Sequence, residues 1–474
     1  MKNWKIYING EWVEAEKTIE VINPATKEVI ATIPDGGTAE AERAADAAYE
    51  ALKGWSKLTA NERADYLMKW YHLIDANKEE IGKLMTQEQG KPLPEAIGEV
   101  SYANSFISWY AEEGKRIYGE TIPASHPNKR LFVQKEPVGV IAAITPWNFP
   151  AAMITRKVGP ALAAGCTAMI KPATQTPLTA IRLVELAEEA GIPKGVINIV
   201  TGSARQISEA WMKDGRVRKV SFTGSTEVGK TLMRGAADTV KKISLELGGH
   251  APFIVTANAN IEKAAQNLIA SKYRNAGQTC VCANRVYVHE AVEAEFAEAF
   301  KQEVAKLKVG NGLEEGVTIG PLIDEQAVDK VVSQIEDAKQ KGAKVIAGGS
   351  TVEGANGYFL EPTVVTNVTD DMLCMNEETF GPLAPIATYK TTEEVIERAN
   401  NSPYGLAAYV FSENITEAIT IAEGLEYGII GLNDGLPSVA QAPFGGYKES
   451  GLGREGSHFG IDEYLEIKYI SLGL

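Results

Sequence analysis

The chain has 474 residues, more than one hydrophobic core usually serves, so two or three domains are expected. A hydrophobic share of 45% with mixed charge fits a globular enzyme, and a net charge of −15 argues against non-specific binding to nucleic acid or an anionic membrane. Four cysteines (Cys166, Cys280, Cys282 and Cys374) make no disulfide framework. No run reaches the roughly 18 apolar residues of a membrane span, and no apolar signal-like region follows Met1, so a cytoplasmic location is expected.

In chain order, residues 7–13 read as a hairpin turning at Asn9-Gly10, a type I′ signature. Residues 38–116 carry helical spacing, and 131–137 alternate like a strand. From 138 the pattern becomes strand–helix–strand. Strand candidates at 138–144, 167–171, 196–200 and 219–222 are separated by helical runs around 158–165 and 178–190. That alternation predicts a parallel sheet with helical crossovers. A second α/β series begins near 250, with strand candidates at 252–255, 285–288, 344–347 and 407–411. The glycine-dense stretch 443–456 reads as a functional loop.

Gly224-Ser225-Thr226-Glu227-Val228-Gly229-Lys230-Thr231 matches the Walker A pattern after a strand, so a P-loop NTPase is a competing reading. Against it stand Glu227, a carboxylate inside a loop that must wrap phosphates, and the lack of an apolar run ending in Asp downstream. The same strand–glycine–helix element can cradle a dinucleotide pyrophosphate at the helix N-terminus. The G-x-G-x-x-G fingerprint is absent, so an ordinary Rossmann reading is not licensed.

Cys280, in Gly277-Gln278-Thr279-Cys280, and Glu246, in Leu245-Glu246-Leu247-Gly248-Gly249, could be a nucleophile and its base. A lone cysteine is more often inert packing. Here Gly277 permits close backbone approach. The histidines show no ligand spacing, and no metal site is expected.

Two further segments, Pro146-Trp147-Asn148-Phe149-Pro150 and Glu377-Glu378-Thr379-Phe380-Gly381-Pro382, complete a set of four whose order and spacing resemble the NAD(P)-dependent aldehyde dehydrogenase superfamily over essentially the whole chain. The resemblance implies an aldehyde dehydrogenase-like α/β fold: a cofactor-binding parallel-sheet domain (1–117 and 137–248), a catalytic α/β domain (249–448) and a small β oligomerisation element (118–136 and 449–474). It implies a thiohemiacetal on Cys280, held by the Asn148 amide and the Cys280 backbone N–H, then a thioester hydrolysed with Glu246 as base. Cysteine is strongly nucleophilic, and its thiol pKa of about 8.5 can be lowered locally. Trp147, Lys171, Pro172, Ala173, Thr174, Gly224, Ser225 and Leu247 fall at cofactor-lining positions, with Glu378 at the nicotinamide ribose and Phe380 near the ring. Thr174, where NAD-preferring relatives often carry Glu, and the cation of Lys171 imply that NADP is tolerated and preferred, with NAD permitted.

Within the superfamily, Arg156, Arg274 and Ser438 resemble the carboxylate-binding residues of succinate-semialdehyde dehydrogenase, an enzyme of 4-aminobutyrate breakdown. Guanidinium forks and a hydroxyl suit a carboxylate. Pro437 departs from the typical loop, which leaves glutarate semialdehyde as the nearest competing substrate. Cys282 could pair with Cys280 as a redox switch, or simply pack behind the nucleophile. A homodimer or homotetramer is implied.

Overall fold

The computed structural model describes residues 4–474; Met1, Lys2 and Asn3, the start of the expected cofactor segment, lie outside the described residues. Asn9 and Gly10 both have positive φ (54° and 80°), the type I′ geometry that joins Ile6–Ile8 to Glu11–Val13. Four helices follow: Thr38–Trp55, Ala60–Ala76, Lys78–Gln89 and Leu93–Glu113. Thr59 caps the second through its side chain with Glu62 reciprocating, a capping box.

The first sheet contains five parallel strands in the spatial order Ile197–Ile199, Thr167–Lys171, Val140–Ile144, Val217–Thr223, Lys242–Glu246. Numbered along the chain this is 3-2-1-4-5, the order of a dinucleotide-binding half, although the G-x-G-x-x-G sequence is missing. The strands are buried apolar runs, as a sheet covered on both faces requires. The hairpin extends one edge, and Gly451–Leu452 pairs antiparallel with Leu245 and Glu246 at the other. The segment 449–474, expected to serve oligomerisation as a unit, is therefore divided. Its first strand closes the first sheet, and helix Ser457–Asp462 follows.

The second sheet is built from Lys344–Ala347, Thr363–Thr366, Leu383–Tyr389, Ala283–His289, Ala251–Val255, Ala407–Phe411 and Ile429–Leu432, in that order, all parallel except the first. A third, antiparallel sheet joins Leu465–Gly473 to Lys129–Pro137 and Glu120–Ile122. No helix among the described residues is long and apolar enough to cross a membrane.

The Walker-like octapeptide does not form a P-loop. Only Gly224 and Ser225 separate the strand Val217–Thr223 from the helix Thr226–Ala237, so most of the pattern is helix. Lys230 points to Glu449 (Nζ to Oε2, 2.8 Å) rather than back over a loop. There is no loop long enough to wrap a triphosphate.

Candidate active site

Where the strand order of the first sheet reverses, between Val140–Ile144 and Val217–Thr223, a cavity of about 610 Å³ opens at the carboxyl ends of the strands. The first sheet contributes Trp147, Asn148, Gly224, Ser225 and Leu247; the second unit contributes Cys280, Glu378, Phe380 and the start of helix Glu325–Gln340. Glycines set this closeness. A Cβ on Gly277 (φ +78°) would lie 2.2 Å from the Gly381 carbonyl oxygen, and one on Gly249 would lie 2.2 Å from that of Cys280. The nucleophile loop, the Phe380 loop and the Gly248-Gly249 turn can meet only because those side chains are missing.

The donor set suits a dinucleotide. Ser225 caps helix Thr226–Ala237, accepting from the Val228 N–H, and its cavity position brings the positive end of that helix to the groove. Glu378 accepts from the Gly249 N–H at 2.9 Å, and burial raises its carboxyl to about 7. Phe380 sits at φ 54°, a left-handed conformation rare for an aromatic residue, and its ring meets that of Trp147 edge-on at 5.5 Å. Lys171 ends the neighbouring strand Thr167–Lys171, Pro172, Ala173 and Thr174 follow it, and none of the four lines this cavity. Thr176 ties their loop to it by donating to the Trp147 carbonyl at 3.2 Å. Lys171 is buried, donates to the Pro172 carbonyl at 2.7 Å, and is lowered by desolvation to about 8.

Asn148 is buried, and its Nδ2 donates to the Gln278 carbonyl at 3.1 Å, which fixes the orientation of the amide. The Cys280 N–H has no acceptor among the described residues. The Cys280 pKa is raised rather than lowered here. Burial pushes the thiol up to about 12, and the opposing pull of Arg156 and Arg274 does not overcome it. The nearby carboxylates Glu378 and Glu246 add to the rise.

Glu246 ends the strand Lys242–Glu246, is 2% exposed, and neither carboxyl oxygen has a hydrogen-bond partner. Desolvation, then the charge of Glu455, raise its pKa well above the carboxylate range. Glu455 itself is held low by Lys157 and Arg156 against its own burial. Lys157 also donates to Thr223 at 2.6 Å, beside the cavity. Arg156, Lys157, Glu246 and Glu455 thus form a buried cluster of two cations and two carboxyl groups, of which Arg156 and Glu246 act on the Cys280 thiol.

The residues expected to hold a distal carboxylate differ in their commitments. Arg156, on helix Ala152–Ala164, is already paired: Nε lies 2.8 Å from Glu455 Oε2, and the guanidinium covers the Phe444 ring at 3.9 Å. Arg274 is half-buried over Phe149 at 5.2 Å, forms no ion pair among the described residues, and its Nε lacks an acceptor. Ser438 is half-buried on the loop after Ile429–Leu432, six residues before Phe444. Cys282 is fully buried with a free thiol, which accepts from Lys272 Nζ at 3.3 Å.

The far wall of the cavity, with Ile323, Asp324, Gln326, Ala327 and Lys330, carries no motif and escapes the sequence reading. Glu455 had a signal, a carboxylate inside a glycine-dense segment, but its role as the counter-ion of Arg156 depends on tertiary packing.

Comparison with known proteins gives the same direction as the geometry. The family model described as "Aldehyde dehydrogenase family" matches residues 12–470. The chain is 57% identical over 99% of its length to glutarate-semialdehyde dehydrogenase of Pseudomonas putida, covering 97% of that protein. It is 55% identical over 98% of its length to the NADP(+) succinate-semialdehyde dehydrogenase of Escherichia coli, covering 97% of that protein. It is also 55% identical over 98% of its length to 3-sulfolactaldehyde dehydrogenase of Pseudomonas putida, covering 96% of that protein. A thiol facing a dinucleotide-type groove, with a buried amide and carboxyl beside it and a family match over nearly the whole chain, leads to one conclusion: this protein belongs to the aldehyde dehydrogenase family.

Proposed function

We propose that the protein oxidises a short aldehyde carrying a carboxylate at its far end, succinate semialdehyde first and glutarate semialdehyde as the alternative, with NADP or NAD as acceptor. The observation that carries the substrate class is Arg274. A half-buried guanidinium that forms no ion pair among the described residues, close enough to pull on the Cys280 thiol, is suited to an anionic group of the substrate. Arg156 is engaged by Glu455, so on this reading it contributes positive potential more than a direct clamp.

The chemistry follows from the chain's own groups. Cys280 Sγ loses its proton to solvent and attacks the aldehyde carbon, and the electron pair of the C=O bond moves onto the carbonyl oxygen, which becomes an oxyanion. The Asn148 Nδ2 and the Cys280 N–H are the donors for that oxyanion; losing one such donor typically costs about 3–4 kcal/mol of transition-state stabilisation. Bound NAD(P) supplies the hydride acceptor, and the carbon left on Cys280 is then a thioester. Glu246, whose affinity for a proton is raised by burial, takes one from the water that attacks the thioester, releasing the acid and the thiol. Thr174 places no carboxylate where a 2′-phosphate would be repelled, which favours NADP.

The test is the initial rate of NAD and NADP reduction with succinate semialdehyde, glutarate semialdehyde and hexanal, in wild type and Arg274→Ala. The charged substrates should be strongly preferred. Arg274→Ala should lower kcat/KM for them by roughly 10- to 100-fold, the value of a charged hydrogen bond of about 1.5–3 kcal/mol, and spare hexanal. Equal losses on all three substrates would make Arg274 structural and leave a general aldehyde dehydrogenase.

A further inference from the structure

The residue that sets the interval between the Asn148 amide and the Cys280 loop is, we infer, Asn275, acting as a positioning residue for the oxyanion site. The inference rests on the reading of Asn148 as an oxyanion donor.

Asn148 follows the strand Val140–Ile144 of the first sheet and Cys280 precedes the strand Ala283–His289 of the second, so their spacing is a property of the junction between the two units. Every polar atom of Asn275 is bonded, and its Nδ2, Oδ1 and backbone N–H reach across that junction. Its Nδ2 donates to the Asn148 carbonyl at 3.0 Å and to the Gln278 carbonyl at 3.1 Å. Its Oδ1 accepts from Gln89 Nε2 at 2.8 Å, and its backbone N–H donates to Glu95 Oε2 at 2.9 Å. Its carbonyl accepts from the Gln278 side chain at 3.0 Å. The residue is 2% exposed.

The Gln278 carbonyl is the shared point. It accepts from Nδ2 of Asn275 and from Nδ2 of Asn148, two residues before the nucleophile. Lys91 also holds the Asn148 carbonyl, at 2.8 Å, but Lys91 is paired with Glu99 and makes no bond to the Cys280 loop. Asn275 alone among these groups bonds both the Asn148 main chain and the Cys280 loop.

The backbone supports a specific role. Asn275 (φ 52°, ψ 36°) and Ala276 (φ 54°, ψ 31°) are both left-handed, ahead of Gly277 at φ 78°. Consecutive left-handed residues with a Cβ persist only where the surroundings over-determine them, and such strain collects at functional sites. Glycine would satisfy the backbone at 275 more easily than asparagine, so the side chain is what the position retains.

The test is a double-mutant cycle between Asn148→Ala and Asn275→Gly, with thermal unfolding of each variant as a control. Glycine keeps the left-handed backbone and removes only the bridging amide. Asn275→Gly should lower kcat by roughly 10- to 100-fold, as a small misplacement of a reacting group does. The KM for aldehyde and for cofactor should stay within about threefold. In the Asn148→Ala background the same change should cost no further activity. Asn275→Asp, which keeps the size and the acceptor for Gln89 but sets an oxygen against two carbonyls, should reproduce the kcat loss and serves in the cycle if the glycine variant does not fold. Multiplying losses, or a rise in KM in step with the fall in kcat, overturns the inference. Failure of both variants to fold makes Asn275 a residue of the fold and overturns it too. An Asn148→Ala variant with unchanged kcat overturns instead the oxyanion reading on which it rests.

Discussion

Cys280 is under opposed influences: burial raises its pKa, two arginines lower it, and two glutamates raise it again, for a result near 12. In the cofactor-free enzyme the thiol is therefore protonated at neutral pH, and the thiolate fraction grows about tenfold for each pH unit below that value. The second-order rate of Cys280 alkylation by iodoacetamide should rise steadily from pH 6 to pH 9 without a plateau, read by mass spectrometry of the Cys280 peptide. A plateau near neutral pH would mean a preformed thiolate and would contradict the dominance of desolvation. Cys280 is half-buried at the cavity, whereas Cys282 is not at its surface. It lies fully buried against Lys272.

At the scale of elements, what the sequence made legible was local. Asn9-Gly10 announced its hairpin because both positions need positive φ. The apolar strands 140–144 and 167–171 were readable as buried runs. Three strands of the second sheet were not read. Leu383–Tyr389 contains Pro385, which argues against a central strand, yet its pairing with Ala283–His289 begins only at Ile386. Thr363–Thr366 and Ile429–Leu432 are only four residues each. The strand order 3-2-1-4-5 left no trace in sequence spacing, because crossovers fix it in three dimensions. The Walker-like octapeptide misled in the opposite sense: the letters fit, but the helix starts at Thr226 and leaves no loop. Of the residues named from the short motifs, Trp147, Asn148, Gly224, Ser225, Leu247, Cys280, Glu378 and Phe380 line the cavity. The Asp324–Lys330 wall and the Glu455 counter-ion were not read from the sequence, since both are contacts between distant segments.

At the scale of the whole molecule, the third sheet is the part least covered by the rest of the chain. Leu465–Gly473 is an edge strand, and Ile467, Tyr469 and Leu472 are 74%, 57% and 47% exposed along it. An open, apolar edge of this kind invites pairing with another chain. We propose that it pairs with a second copy, giving a homodimer or a homotetramer. Ile467→Glu combined with Tyr469→Lys should lower the mass measured by light scattering while leaving the far-ultraviolet circular dichroism unchanged; an unchanged mass would remove this edge from the interface. The two sheets that form the site meet through glycine contacts, the Asn275 bridge and the cavity between them. All of this serves one chemical claim: an acyl group is carried on Cys280 and released through Glu246. The most direct measurement is rapid-quench mass spectrometry of Glu246→Gln mixed with NADP and succinate semialdehyde. The account predicts a burst of cofactor reduction followed by slow turnover, with a succinyl group accumulating on the Cys280 peptide. Unimpaired steady turnover with no adduct on Cys280 would contradict it.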